Sequence, residues 1–150
     1  MRSRKEENAL FSFVHVTDTH FSRSTPTERM LKRFVETIND EHLFPLPDCI
    51  VHTGDIIRGY YESRTVHTRE MVAVKKLLDR LKAPFYVTCH NHDTYGEDVR
   101  GAVFDAVFGK PHFQVIRQGL FRIVVVSGAL CSSDIFGRRV PGEVYPKWGF

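Results

Sequence analysis

The sequence predicts an α/β fold, a parallel sheet with flanking helices. Three observations carry this expectation. Short runs rich in Phe, Val and Ile alternate with longer segments of helical apolar period, each run stops abruptly at polar residues, and Pro or Gly punctuates the joints between units. At 150 residues the chain has the length of about one domain.

Phe11 to Val16 reads as a buried strand followed at once by polar residues. A helix then starts at Thr25, the N-cap, with Pro26 at the first helical position and Glu28 completing a capping box. Its apolar stripe is Met30, Leu31, Phe34, Val35 and Ile38, and it ends between Asn39 and His42, before the prolines of FPLPD. The cycle repeats with CIVHT, residues 49 to 53, and a helix from about Ser63 to Lys82 burying Val66, Met71, Val74, Leu77, Leu78 and Leu81. PFYVT, residues 84 to 88, is a third strand, and Gly96 to Phe108 a third helix with Val99, Val103, Phe104 and Val107 inward. After Gly109 the pattern changes to two strands joined by a tight turn at Gln118-Gly119, an antiparallel hairpin.

Composition narrows the classes of function. A hydrophobic fraction of 42% and a charged fraction of 26% exclude a disordered or fibrous chain. No apolar run is long enough for a membrane span, and the N-terminus has no signal-peptide core or cleavage site, which points to the cytoplasm. Cys49, Cys89 and Cys131 lie far apart in or beside apolar segments, as reduced, largely buried thiols do. The net charge of +3 is mild and its cations are scattered, so there is no clear nucleic-acid patch.

Each predicted parallel strand is followed by unusual polar residues: Asp18 and His20, then Asp55, then Asn91 and His92, about 36 residues apart, the length of one strand-helix unit. Parallel strands point the same way, so these clusters gather beyond their carboxyl ends, where open α/β sheets place ligand sites. Singly, each cluster is ordinary turn chemistry. Together, two aspartates, an asparagine and one or two histidines form an oxygen and nitrogen donor set suited to manganese, iron or zinc. One Asp can bridge two such ions about 3.5–4 Å apart.

The set Asp18-Thr19-His20, Gly54-Asp55 and Asn91-His92-Asp93, in this order and at these distances, resembles the calcineurin-like metallophosphoesterase superfamily. There the pattern runs D-x-H, G-D and G-N-H-[DE], followed by a single His and G-H-x-H. The resemblance implies a two-sheet sandwich with helices outside and a dinuclear centre of divalent ions (Mn, Fe or Zn) that hydrolyses a phosphoester. Asp18 and His20 would hold the first ion, Asp55 would bridge both, and Asn91 would hold the second through its side-chain oxygen. His92 would bind no metal; it would stand at the substrate phosphoryl group and give a hydrogen bond or proton to the leaving oxygen. The opening HVTDTHF is closer to the cyclic-nucleotide phosphodiesterase branch than to the protein-phosphatase branch, which makes a nucleotide one candidate substrate.

Two departures stand out. His90 replaces the family's Gly before Asn91, which matters if that position needs positive φ. No His follows His112 and no G-H-x-H occurs, so the resemblance leaves the first ion one protein ligand short and the second two. The expectation is that residues 1–150 are a partial domain, with the C-terminal part that completes the metal site missing. The rival reading is a non-catalytic relative whose cleft has become a scaffold or protein-binding surface.

Of the remaining residues, Asp93 is expected to complete its turn rather than orient His92, and Arg58 to face solvent from its loop. Loop packing is at least as good a reading of Tyr60 and Tyr61 as a nucleobase wall. For His15 and His52, support of the neighbouring Asp and plain burial stand level. His67 is expected on a helix surface, His112 at a surface or strand edge, and Gly137 to Arg139 in a solvated loop.

Overall fold

The computed structural model describes residues 11–59, 63–94, 101–109, 113–118 and 121–127. Tyr60, Tyr61, Val99, His112, Cys131 and the loop from Gly137 lie outside the described residues. The order is β1 (Phe13–Val16), α1 (Pro26–Asn39), β2 (Cys49–His52), α2 (Arg64–Leu78), β3 (Phe85–Val87), α3 (Ala102–Phe108), β4 (Phe113–Gln118) and β5 (Phe121–Val126). No helix among them is long and apolar enough to cross a membrane.

The first three strands form one parallel sheet in the order β1-β2-β3, with Val16 opposite His52 and His52 opposite Val87. All three strands therefore end level, which sets their following loops side by side. β2 is central and buried along its whole length. β1 was expected to be buried and is instead a half-covered edge strand, with Phe13 and His15 exposed. It also starts later than Phe11, because Asp48 takes the Ser12 amide and hydroxyl through its side chain and Phe11 stacks on Phe121.

The helical face of the sheet is covered by Leu31 and Val35 of α1, Met71, Val74, Leu77 and Leu78 of α2, and Val103 and Phe104 of α3, packed with Phe21, Ile56, Ile57 and Val87. Side chains two apart on a strand share a face, and Cys49 and Val51 of β2 point the other way, onto Ile116 and Val125. The antiparallel β4–β5 hairpin thus packs on the second face as a separate two-stranded sheet. Gln114 donates to the Val87 carbonyl and Ser127 to that of Cys89, tying it to the end of β3. Gln118 pairs with Phe121, so the connection is residues 119–120, one later than Gln118-Gly119.

Three local expectations are corrected. Met30 is 70% exposed, because the buried stripe of α1 is only as wide as Leu31 and Val35 with Phe34 beside them. The capping box is displaced: Thr25 gives its hydroxyl to the Ser22 carbonyl, and Glu28 accepts from the Ser24 amide instead of that of Thr25. α2 stops at Leu78, short of Lys82, because Asn39 captures its exit by donating to the Arg80 carbonyl and accepting from the Lys82 amide. Cys49 and Cys89 are buried thiols not joined in a disulfide, as expected.

Met30 and Met71 make a matched pair of substitutions, since Met71 is fully buried. Met71→Ala should cost about 2–5 kcal/mol in urea unfolding, and Met30→Ala less than about 0.5 kcal/mol. Equal losses would contradict the stripe.

Candidate metal centre

Beyond the ends of β1 and β2 the chain does not diverge. Thr53 donates its amide to Val16, Asp18 to Gly54, His20 to Asp55, Phe21 to Ile56 and Arg58 to Phe21, each to a backbone carbonyl, and parallel pairing resumes at Phe21 and Ile57. Between these anchors the backbone is forced into the left-handed region at Asp18 (φ 53°), His20 (φ 41°) and Asp55 (φ 54°). Non-glycine residues held there cost about 1–3 kcal/mol each and persist only where the surroundings over-determine them. Here the surroundings are Phe21, Ile56 and Ile57, all essentially inaccessible to solvent. The kinks lie at the motif residues, which is where strain accompanies function.

A buried relay supports the paired loops. The Gly54 amide donates to His52 Nδ1 at 3.2 Å, so the Nε2 of His52 carries the proton and donates to the Thr19 hydroxyl at 3.0 Å. Thr19 passes its own hydrogen to the Ile56 carbonyl at 2.9 Å. Burial pushes the His52 imidazole down to about 4, against the pull of the Asp18 and Asp55 charges. His52 is therefore both buried and a support for the neighbouring loop, while His15 is exposed and meets the Thr53 hydroxyl at 3.0 Å.

The third loop is locked to the second by Asp93, in the short 3-10 turn Asn91–Asp93. One oxygen of its fully buried carboxyl accepts from the Ile56 and Ile57 amides at 2.8 and 3.2 Å, and the other from the His90 amide at 3.1 Å. Burial pushes this carboxyl up to about 7, opposed by those three amide donors. Asp93 does complete its turn, as expected, and joins two loops besides. His67 corrects the sequence reading: it is buried, with Nε2 3.1 Å from the Asp93 carbonyl and Nδ1 3.3 Å from that of Gly59. Its spacing of seven residues from Val74 is the signal that placed it on the inner stripe. His90 has φ −131°, ordinary extended backbone, so the family's glycine is not needed there for positive φ.

These constraints bring His20, Asp55 and His92 together, with one potential ligand atom from each all within 4.8 Å of one another. The rings of His20 and His92 meet edge to face at 4.6 Å. Asp18 is exposed, 3.7 Å from His20 Nε2, and its carboxyl neighbours that of Asp55. The Thr17 hydroxyl at 2.6 Å is the main reason that Asp18 sits below the usual carboxylate range, with His20, His90 and Asp55 adding to it against slight desolvation. Asn91 stands on the turn between His90 and His92. His92 donates its amide to Asp55 Oδ1 at 3.0 Å, and its Nδ1 is 3.3 Å from the Arg58 carbonyl, so Nδ1 carries the hydrogen and Nε2 of the neutral ring is the basic atom. Arg58 itself is exposed, as expected. Two imidazoles, a shielded carboxylate and a second carboxylate beside it are a donor set that fits a divalent cation.

Two further groups were not singled out as site residues by sequence. His90 reaches Asp55 Oδ1 through Nδ1 at 3.0 Å, and Thr17 orders Asp18.

Replacing Asp93 by Ala strands the buried amides of Ile56 and Ile57 and removes the acceptor of the part-buried His90 amide, which should cost at least about 2 kcal/mol in chemical unfolding; a loss below about 1 kcal/mol would contradict its bridging role. His52 predicts a pH effect of defined sign. Its folded pKa lies below its ordinary 6.5, so the unfolded chain binds the extra proton between pH 6.5 and about 4, and the contribution of this ring to stability falls as pH drops through that window, by up to about 1.4 kcal/mol per pH unit, while the raised Asp93 carboxyl contributes the opposite slope. His52→Gln should remove the contribution of the ring and shift the pH dependence toward greater stability at low pH, and an unchanged pH dependence would contradict the buried neutral ring.

Against families of known proteins, the model of the calcineurin-like phosphoesterases matches residues 11–145. No curated protein matches the chain at a significant level. The family match spans the parallel sheet, all three helices, the hairpin and every residue of the cluster. The chain belongs to the calcineurin-like phosphoesterase family.

Proposed function

We propose that the chain is a metal-dependent phosphoesterase acting at the cleft of His20, Asp55 and His92. The observation that supports this best is the convergence of those three ligand atoms within 4.8 Å, delivered by three different strand ends. Asp18, His20, Asp55 and Asn91 are the proposed metal ligands, with two divalent ions (Mn, Fe or Zn) implied by the family's pattern. A divalent ion bound there would polarise the phosphoryl oxygen and acidify water toward neutrality.

The residues of the chain supply the rest. Asp55 contributes negative charge from a shielded position, where it acts more strongly on a cation than it would in bulk water. His92, with Nδ1 given to the Arg58 carbonyl, keeps its ring in one orientation, and in its imidazolium form Nε2 can hand a proton to the leaving oxygen. Asn91, on the same turn, is the proposed second contact to the substrate beside its role as a metal ligand. The substrate class is a phosphoester, with a nucleotide diester favoured by the HVTDTHF opening.

Hydrolysis of bis-p-nitrophenyl phosphate with Mn²⁺ tests this directly. The expected result is turnover that stops on chelation and falls at least about 100-fold in Asp55→Asn. Equal rates in the two forms would contradict the proposal, and Mn²⁺ binding without any turnover would favour the non-catalytic scaffold.

A further inference from the structure

We propose, on the reading of His92 as the proton donor, that His67 of α2 is its positioning residue: it keeps the hydrogen of the His92 ring on Nδ1 and so presents Nε2 to the leaving oxygen. The His92 ring is oriented by a backbone carbonyl, that of Arg58, 3.3 Å from its Nδ1. Arg58 is an exposed loop residue, and a carbonyl there fixes a ring only if its own segment is pinned. On one side the Arg58 amide donates to the Phe21 carbonyl. On the other stands the imidazole of His67, with Nδ1 3.3 Å from the Gly59 carbonyl and Nε2 3.1 Å from that of Asp93. Carbonyl oxygens only accept, so a neutral ring donates to one of the two and an imidazolium to both. Gly59 follows the residue that receives the His92 hydrogen, and Asp93 follows His92 itself. One ring therefore touches both segments whose spacing decides whether the His92 contact forms.

His67 has a fitted seat. It is fully buried, and a Cβ added at Gly59 would lie 2.6 Å from its Nδ1 and 2.7 Å from Ile57 Cδ1. Alanine at residue 59 would push the ring while leaving every donor of the cleft unchanged. Which nitrogen of an imidazole holds the hydrogen is set by the partner of the other, and in water Nε2 is favoured. The Nδ1 hydrogen of His92 thus persists only while the Arg58 carbonyl stays in place.

Long-range proton–nitrogen correlation spectra of the metal-free full chain at about pH 8, above the ordinary histidine range, read the hydrogen position on each ring. His92 is assigned by the signals lost in His92→Ala. The expected result is Nδ1–H in the unmodified chain and a shift toward Nε2–H in both His67→Leu and Gly59→Ala. A purely structural His67 would lower stability and leave Nδ1–H in place; that outcome in the folded variants would overturn its positioning role while leaving the proposed function standing. Should His67→Leu fail to fold, Gly59→Ala, which keeps the imidazole, decides. Turnover with Mn²⁺ supplies the second arm, since bis-p-nitrophenyl phosphate needs little acid help and diphenyl phosphate, with its more basic leaving group, needs more. His92→Ala and both variants should lose at least about tenfold more rate on the diphenyl ester. Equal losses on the two esters in His67→Leu and Gly59→Ala alone would overturn the role of His67. No turnover by the unmodified chain, or equal losses in His92→Ala, would overturn the acid role of His92 and that of His67 with it.

Discussion

The buried carboxyl of Asp93 accepts amide hydrogens from two loops that are far apart in sequence, at Ile56 and Ile57 on one side and at His90 on the other. Without an acceptor at that point, the buried amides of Ile56 and Ile57 and the part-buried amide of His90 would lose their partner, and the third loop would be held to the second only by the more exposed contacts of His90 and His92 with Asp55 and Arg58. With it, His92 is held where its amide reaches Asp55 and its ring meets that of His20. His67 braces the same turn from α2, so the helix layer and the cleft share one polar contact network.

That network accounts for how the strained backbone is tolerated. Asp18, His20 and Asp55 lie in a region that L-residues avoid, and each is flanked by a cross-loop backbone hydrogen bond or a fully buried aliphatic or aromatic side chain. The twist turns polar side chains out to the sheet edge while the backbone stays paired. A cation entering beside Asp18 and Asp55 would meet two neighbouring carboxylates, the second of them shielded from solvent. Stability in this region is given up to hold a donor set in readiness.

Much of this was legible in the sequence, for a physical reason. Strands of a parallel sheet run in the same direction, so the recurrence of Asp18, Asp55 and Asn91 after apolar runs predicted loops at one edge. The sheet, the three helices and the hairpin followed from apolar periodicity. What was not legible depended on contacts between distant segments. The exposure of Met30 reflects how narrow a strip of α1 is covered, and the displaced cap reflects competition from the Ser22 carbonyl. His67 lay on the inner stripe by spacing, but its chemistry suggested solvent until the Asp93 and Gly59 carbonyls were in place to receive it. The contact of His90 with Asp55 could not be read from a substitution at a glycine position, because it joins two loops 35 residues apart in the chain.

The central claim is that three strand-end loops, locked by Asp93, form one cation site at Asp55. Diffraction at the zinc absorption edge from crystals soaked in Zn²⁺ tests it most directly. An anomalous peak is expected in the cleft, at about 2.0–2.2 Å from ligand atoms of His20 and Asp55. A saturated soak whose peaks all lie elsewhere would contradict it.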